Sequence, residues 1–186
     1  MSQATTQARA VGAAPAPGQP VSDEQAHQYL TFVLSGEMFA IGILAIKEII
    51  EYTHLTAVPM TPEYLRGVIN LRGAVVPVLD LSVRFGKPAN EVTKRTCIVI
   101  IEIHVGAQRY DVGIVVDAVN AVLDIPATDV EPPPGFGARI RTAFIQGVAK
   151  VHGRFVILLD LNQALAAEEL FALAEATEPG SSDAGG

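Results

Sequence analysis

A chain of 186 residues, 49% apolar and 18% charged, has the length of one compact domain or of two small units sharing a core. Its formal net charge of −7 leaves no basic surplus to displace counterions, which argues against general nucleic-acid binding. One cysteine, Cys97, excludes an internal disulfide framework; its run Thr96-Cys97-Ile98-Val99-Ile100-Ile101 reads as core, not as a reactive thiol.

Residues 1–26 are rich in Ala, Pro, Gln and Gly, with Arg9 as the only basic residue, and predict a disordered N-terminal tail. The longest apolar runs fall far short of the roughly 20 residues a spanning helix needs, so a cytoplasmic protein is expected. Tyr29 to Leu34 is β-rich, Ser35-Gly36-Glu37 supplies a turn, and Met38 to Ile43 returns as a strand. Ile46, Ile49 and Ile50 alternate with Lys47, Glu48 and Glu51, and their β-branched density favours extended backbone. Thr61-Pro62-Glu63-Tyr64-Leu65 has the form of a short helix start, capped by Thr61 and ended by Gly67. Val68 to Leu71 and Ala74 to Leu79 read as strands joined by a tight turn at Arg72-Gly73. Gln163 to Ala176 has an apolar and a polar face and predicts a C-terminal helix, followed by a second disordered tail over 177–186.

The segment from Tyr64 to Leu81 recurs, altered, from Phe144 to Leu161. At a shift of eighty positions, Gly67, Gly73, Leu79, Asp80 and Leu81 meet Gly147, Gly153, Leu159, Asp160 and Leu161. Phe39-Ala40-Ile41-Gly42-Ile43 matches Tyr110-Asp111-Val112-Gly113-Ile114 at a shift of seventy-one. The chain is therefore a duplicated β unit, mainly β in class, with strands too short and too few per copy for two independent cores. Two small barrels or a sandwich sharing an interface are expected.

Chemistry is sparse along this sequence. His27, His54, His104 and His152 have no metal-ligand spacing, and neither a phosphate loop nor a nucleophile elbow occurs, so no cofactor or metal is expected. Asp80 and Asp160, related by the repeat, could in principle share a proton as a hydrolytic dyad. Both lie in Leu-Asp-Leu at strand ends, without the turn that would present a catalytic carboxylate, and read instead as caps of the turns that follow. The copies differ more tellingly at Asn70-Leu71-Arg72-Gly73 against Lys150-Val151-His152-Gly153. Glu48 meets Val119, or Ala121 if two residues are inserted. The first copy has an acid and an arginine where the second has neither. The pair reads either as two solvated charges or as an ion pair orienting a docking surface.

Ile46-Lys47-Glu48-Ile49, Tyr64 to Gly73, Val76-Pro77-Val78-Leu79-Asp80-Leu81 and Gly113-Ile114-Val115-Val116-Asp117-Ala118-Val119 together resemble the CheW-like family of bacterial chemotaxis coupling proteins. The resemblance runs from about Tyr29 to Leu165. It implies two intertwined five-stranded SH3-like β-barrels with short helices, over 27–165, the first near 27–94 and the second near 95–165. It implies no enzyme activity and an adaptor that couples transmembrane chemoreceptors to the histidine kinase CheA. Twitching motility or another kinase cascade is the alternative pathway. By the same resemblance, Ile43, Glu48, Gly67, Arg72 and Val119 correspond to receptor-linked positions. Ile46, Glu51 and Leu55 fall in the kinase-binding region, although the family often has glycine where Glu51 stands. Phe136 matches the aromatic used where kinase and coupling protein alternate in rings. The implied partners are the receptor's cytoplasmic tip and the kinase's regulatory domain, the membrane being reached only through receptors.

Overall fold

The computed structural model describes residues 27–133 and 144–165. In chain order the elements are β1 (Gln28–Leu34), β2 (Glu37–Gly42), a 3-10 turn (Ile43–Ala45), β3 (Ile46–Glu51), β4 (Leu65–Leu71), β5 (Ala74–Asp80) and α1 (Leu81–Arg84). The second copy supplies β6 (Cys97–Val105), β7 (Gln108–Val116), β8 (Ala118–Asp124), a 3-10 turn (Ala127–Asp129), β9 (Val130–Glu131), β10 (Ile145–Val151), β11 (Arg154–Leu159) and α2 (Leu161–Ala164).

These strands form two sheets, ordered β3-β6-β7-β5-β4 and β8-β1-β2-β11-β10-β9. In each, the chain that starts at one edge comes back to the other. After β3 it bridges β4 through Thr56 and Val68, and after β8 it forms β9, which pairs with β10. A single bent strand thus closes each sheet, giving five strands per barrel once β8 and β9 are counted together. We call the closed β3–β7 sheet barrel I and the other barrel II.

A cut between residues 94 and 95 separates the copies of the repeat but not the barrels. The first hairpin of each copy belongs to the barrel completed by the other copy: β1 and β2 lie in barrel II, β6 and β7 in barrel I. The joints are two parallel pairings, Val78 with Gly113 in barrel I and Ile157 with Phe39 in barrel II. Neither barrel can form without strands from both copies, so folding is mutual.

Three cores follow. Ile69, Val76, Val78, Ile98, Ile100 and Val115 fill barrel I. Tyr29, Ala40, Ile125, Ala149, Val156 and Leu158 fill barrel II. Between them lies a larger core that includes Phe32, Phe39, Leu79, Ile101, Ile103, Ile114 and Leu159. The apolar runs of β6 and β7 are near-continuous because one set of alternate side chains enters barrel I and the other enters the shared core. Each such side chain, fully buried, contributes about 1.5–3 kcal/mol.

Both seams depend on a glycine. The β4–β5 register slips between Leu65 and Gly67, and the β10–β11 register between Ile145 and Gly147. Gly67 stands at φ 151°, and a Cβ there would lie 2.6 Å from the Thr56 carbonyl oxygen. A Cβ on Gly147 would collide with Val130 Cγ1 and come within 2.8 Å of the Glu131 oxygen. The repeated glycines let the closing strand lie against its neighbour. Gly67 therefore does not end a helix, as the sequence predicts, but sits buried within β4. The segment before it is a turn: the Thr61 hydroxyl donates to the Val58 carbonyl at 2.8 Å instead of capping a helix. At the C-terminus α2 starts at Leu161, two residues before the predicted helix, and residues 166–176 lie outside the described ones.

Candidate functional site: an ion pair at the end of barrel I

The turn between β4 and β5 has two residues, Arg72 at φ 52° and Gly73 at φ 85°. Positive φ at both central positions is what a two-residue hairpin requires to match strand twist. Asn70 braces it, its Oδ1 accepting from the Gly73 N–H at 3.0 Å. The turn aims the Arg72 side chain across the barrel end at β3, where Glu48 follows a bulge between Ile46 and Glu48. The Arg72 Nη2 donates to Glu48 Oε2 at 2.8 Å. The carboxylate is sheltered, the Glu48 side chain being 24% exposed, while the Arg72 side chain is 78% exposed. Glu48 is thus held by one guanidinium nitrogen, and most of the fork is presented to solvent.

A groove of about 430 Å³ opens beside the pair, walled by Leu71, Val76 and Ile100 and flanked by Lys47 and Asp111. Lys47 donates to both Asp111 oxygens, at 2.9 and 3.0 Å, and this hydrogen bond raises the Lys47 pKa. The arrangement offers charge of both signs around an apolar floor. It contains neither a nucleophile–base couple nor, among the described residues, a cluster of three groups able to hold a metal.

The remaining expected residues separate. Ile43, in the 3-10 turn between β2 and β3, and Val119, opposite Phe32 in β8, are both half-buried against the inter-barrel core. Ile46 packs on that same core, whereas Leu55 packs on the interior of barrel I and Glu51 is exposed at the end of β3. Gly67 is buried and offers no side chain to a partner; it supports the site by seating the 52–56 segment on β4. Phe136 lies outside the described residues.

The second copy's counterpart of Glu48 is neither Val119 nor Ala121. Hairpins β1–β2 and β6–β7 superpose at the shift of seventy-one, so Ile100 corresponds to Tyr29. Glu48 pairs with Ile100, and Leu123 pairs with Tyr29, which makes Leu123 the equivalent residue. Sequence alignment missed this because the two strands bulge at different places. Barrel II therefore has an apolar residue packed on its interior, beside Val151, where barrel I has its acid. Sequence reading also missed the Lys47–Asp111 pair, whose partners are 64 positions apart and joined only by the β3–β6–β7 order.

The aspartates are structural. Asp80 Oδ1 accepts from the N–H groups of Ser82 and Val83 at 2.9 and 3.3 Å, and Asp160 Oδ1 from Gln163 at 3.2 Å. Each caps the short helix that follows its own barrel.

A family model described as the CheW-like domain matches residues 28–169. The chain belongs to the CheW-like domain family. The chemotaxis protein CheW of Klebsiella aerogenes is 35% identical over 143 residues, covering 77% of this chain and 84% of the relative. That of Rhizobium meliloti is 34% identical over 142 residues, covering 76% and 89%. The solved scaffolding protein TtCheW of Thermoanaerobacter tengcongensis aligns with a TM-score of 0.69 at 32% identity, over 83% of this chain and 94% of that one. This CheW-like chain is accordingly a chemotaxis coupling adaptor and not an enzyme. No helix among its described residues is long and apolar enough to cross a membrane.

Proposed function

We propose that this adaptor acts in the cytoplasm and joins the helical tip of a chemoreceptor to the regulatory domain of the kinase CheA. The receptor hairpin docks at the Glu48–Arg72 face and along the groove between the barrels, against Ile43 and Val119. An amphipathic helical tip suits such a face, because its apolar stripe fills a groove while its charges meet a bidentate donor. The kinase domain binds barrel I near Ile46, Glu51 and Leu55, and Phe136 contributes where coupling protein and kinase alternate in rings. Two interfaces on one rigid body raise the effective concentration of kinase at the receptor without any chemistry in the adaptor.

The observation that carries this reading is the asymmetry of the hairpins. At the two equivalent hairpin turns, an exposed arginine steadied by a sheltered carboxylate is found on barrel I and not, among the described residues, on barrel II. Pull-down with soluble receptor-tip fragments and with the kinase regulatory domain tests it. Arg72→Ala and Glu48→Ala should each lower receptor binding by about thirtyfold, as loss of an interface arginine hot spot does. Kinase-domain binding should persist, and unfolding free energy should change by less than about 0.5 kcal/mol, because exposed ion pairs contribute little. Full receptor binding by both variants removes the assignment.

A further inference from the structure

The repeat places an aromatic residue just before β4 and just before β10, Tyr64 and Phe144, eighty positions apart. Each is fixed to its own barrel by the same bond: the Tyr64 carbonyl accepts from Asp80 N–H at 2.7 Å, and the Phe144 carbonyl from Asp160 N–H at 2.8 Å. Arg84, from the last turn of α1, reaches both rings. Its guanidinium carbon is 5.4 Å from the Tyr64 centroid and 5.0 Å from the Phe144 centroid, both within cation–π range. Phe85 continues the contact, 6.1 Å from Phe144 and 6.1 Å from Phe39.

The second copy has no such device. The positions equivalent to Arg84 and Phe85 are Ala164 and Leu165, which are small or aliphatic and fully buried. One cation held within reach of rings on different barrels ties them by two contacts that weaken if either barrel tilts away, which the aliphatic packing at Ala164 and Leu165 does not supply. The ends of the clamp are also rigid, each ring being held where its chain enters a closed sheet.

We propose that Arg84 is a positioning residue that fixes the angle between the two barrels, and through it the shape of the groove that receives the receptor hairpin. The clamp itself stands on its geometry; its consequence for binding rests on the receptor reading above. One-to-one binding of the kinase regulatory domain, proposed above on the β3 side of barrel I, depends far less on the angle.

Spin labels at Ala107→Cys on barrel I and Arg154→Cys on barrel II, in a Cys97→Ala background, report the angle in the full-length protein as a distance distribution. With Arg84 present the distribution should be narrow. Arg84→Met keeps the aliphatic stem but removes the planar charge, and should broaden it while weakening binding of a receptor-tip fragment by about tenfold. Arg84→Lys keeps the cation without the plane and should fall between the two, and it decides the matter if the methionine variant does not fold. Binding of the kinase regulatory domain should stay within about twofold for both, as expected for an interface on a single barrel. A distribution unchanged in both variants overturns the clamp. A broadened distribution with undiminished receptor binding keeps the clamp and sinks the groove reading instead.

Discussion

Hairpin β4–β5 of barrel I and hairpin β10–β11 of barrel II share their turn geometry, with Arg72 at φ 52° and His152 at φ 49°, each followed by a glycine at positive φ. They share the bulge at Gly67 and Gly147, and they close their barrels against the same kind of returning strand. What they carry differs. Barrel I puts Glu48 and Arg72 over its end; barrel II has Leu123 packed inside and His152 at the turn. Phe155, exposed beside Lys150, makes the outer face of the second hairpin more apolar than its Val75 counterpart makes the first. Duplication supplied two equivalent mounts, and one of them holds the ion pair that we propose as the docking group. Features common to both hairpins should govern folding, and features of one should govern binding.

The sharpest way to break that division is at the shared glycines. Gly67→Ala should destabilise the protein by about 3 kcal/mol, because the new methyl meets backbone and the residue stands in a conformation that side chains rarely adopt. Gly147→Ala should cost less, about 2 kcal/mol, since Gly147 does not stand at positive φ, although its new methyl still meets Val130 Cγ1 and the Glu131 carbonyl oxygen. Urea unfolding of the two variants measures this directly. If Gly67→Ala instead keeps full stability and loses only receptor binding, the glycine belongs to the docking face and the seam argument fails.

A second prediction moves the functional difference across the repeat. Leu123→Glu places a carboxylate on the interior of barrel II and should cost about 2–3 kcal/mol when unpaired. Adding His152→Arg provides the partner that barrel I uses, and should recover about 0.5–1 kcal/mol as a coupling energy in a double-mutant cycle. Zero coupling would mean that the two barrel ends are not superposable at the side-chain level, and that Leu123 is not the counterpart of Glu48.

How far the sequence carried depends on whether a feature is local. Strands, tight turns and the aspartate caps follow from β-branched runs, Arg72-Gly73 and Leu-Asp-Leu, all decided within a few residues. The separation of Glu48 and Arg72 from the scaffold was also legible, because the repeat acted as its own control. The exchange of hairpins between copies entered only through the family resemblance, which implied intertwined barrels, since the β5–β7 and β11–β2 pairings leave no trace in periodicity. Thr61-Pro62 has the composition of a helix start, yet Thr56 is tied to Val68 and Leu65 already belongs to β4, so too few residues remain for a helix. The second copy's counterpart of Glu48, Leu123, was hidden by bulges at different places in the two strands. Arg84 was overlooked because its two rings lie 20 residues before it and 60 after, and only the joint between the barrels brings them together.

The smallest predicted effect is at the cap of α1. Asp80 is buried, and burial raises its carboxyl pKa; the N–H of Val83, the Arg66 guanidinium at 3.7 Å and the N–H of Ser82 oppose the shift, while Asp117 adds to it. A carboxyl whose folded pKa exceeds its unfolded value stabilises the fold most when protonated. Its contribution is complete below the unfolded value, about 3.9, and is lost as pH rises through the raised folded value. Asp80→Asn keeps a capping oxygen for Ser82 and Val83 but removes the titration. The stability of this variant relative to the parent should therefore improve between about pH 4 and pH 7, as the parent's ionised Asp80 becomes costly and the asparagine does not. Urea midpoints at the two pH values read the difference. A relative stability that falls over the same interval would show that the Arg66 contact outweighs burial. Asp80 would then be held in place by its charge, not in spite of it.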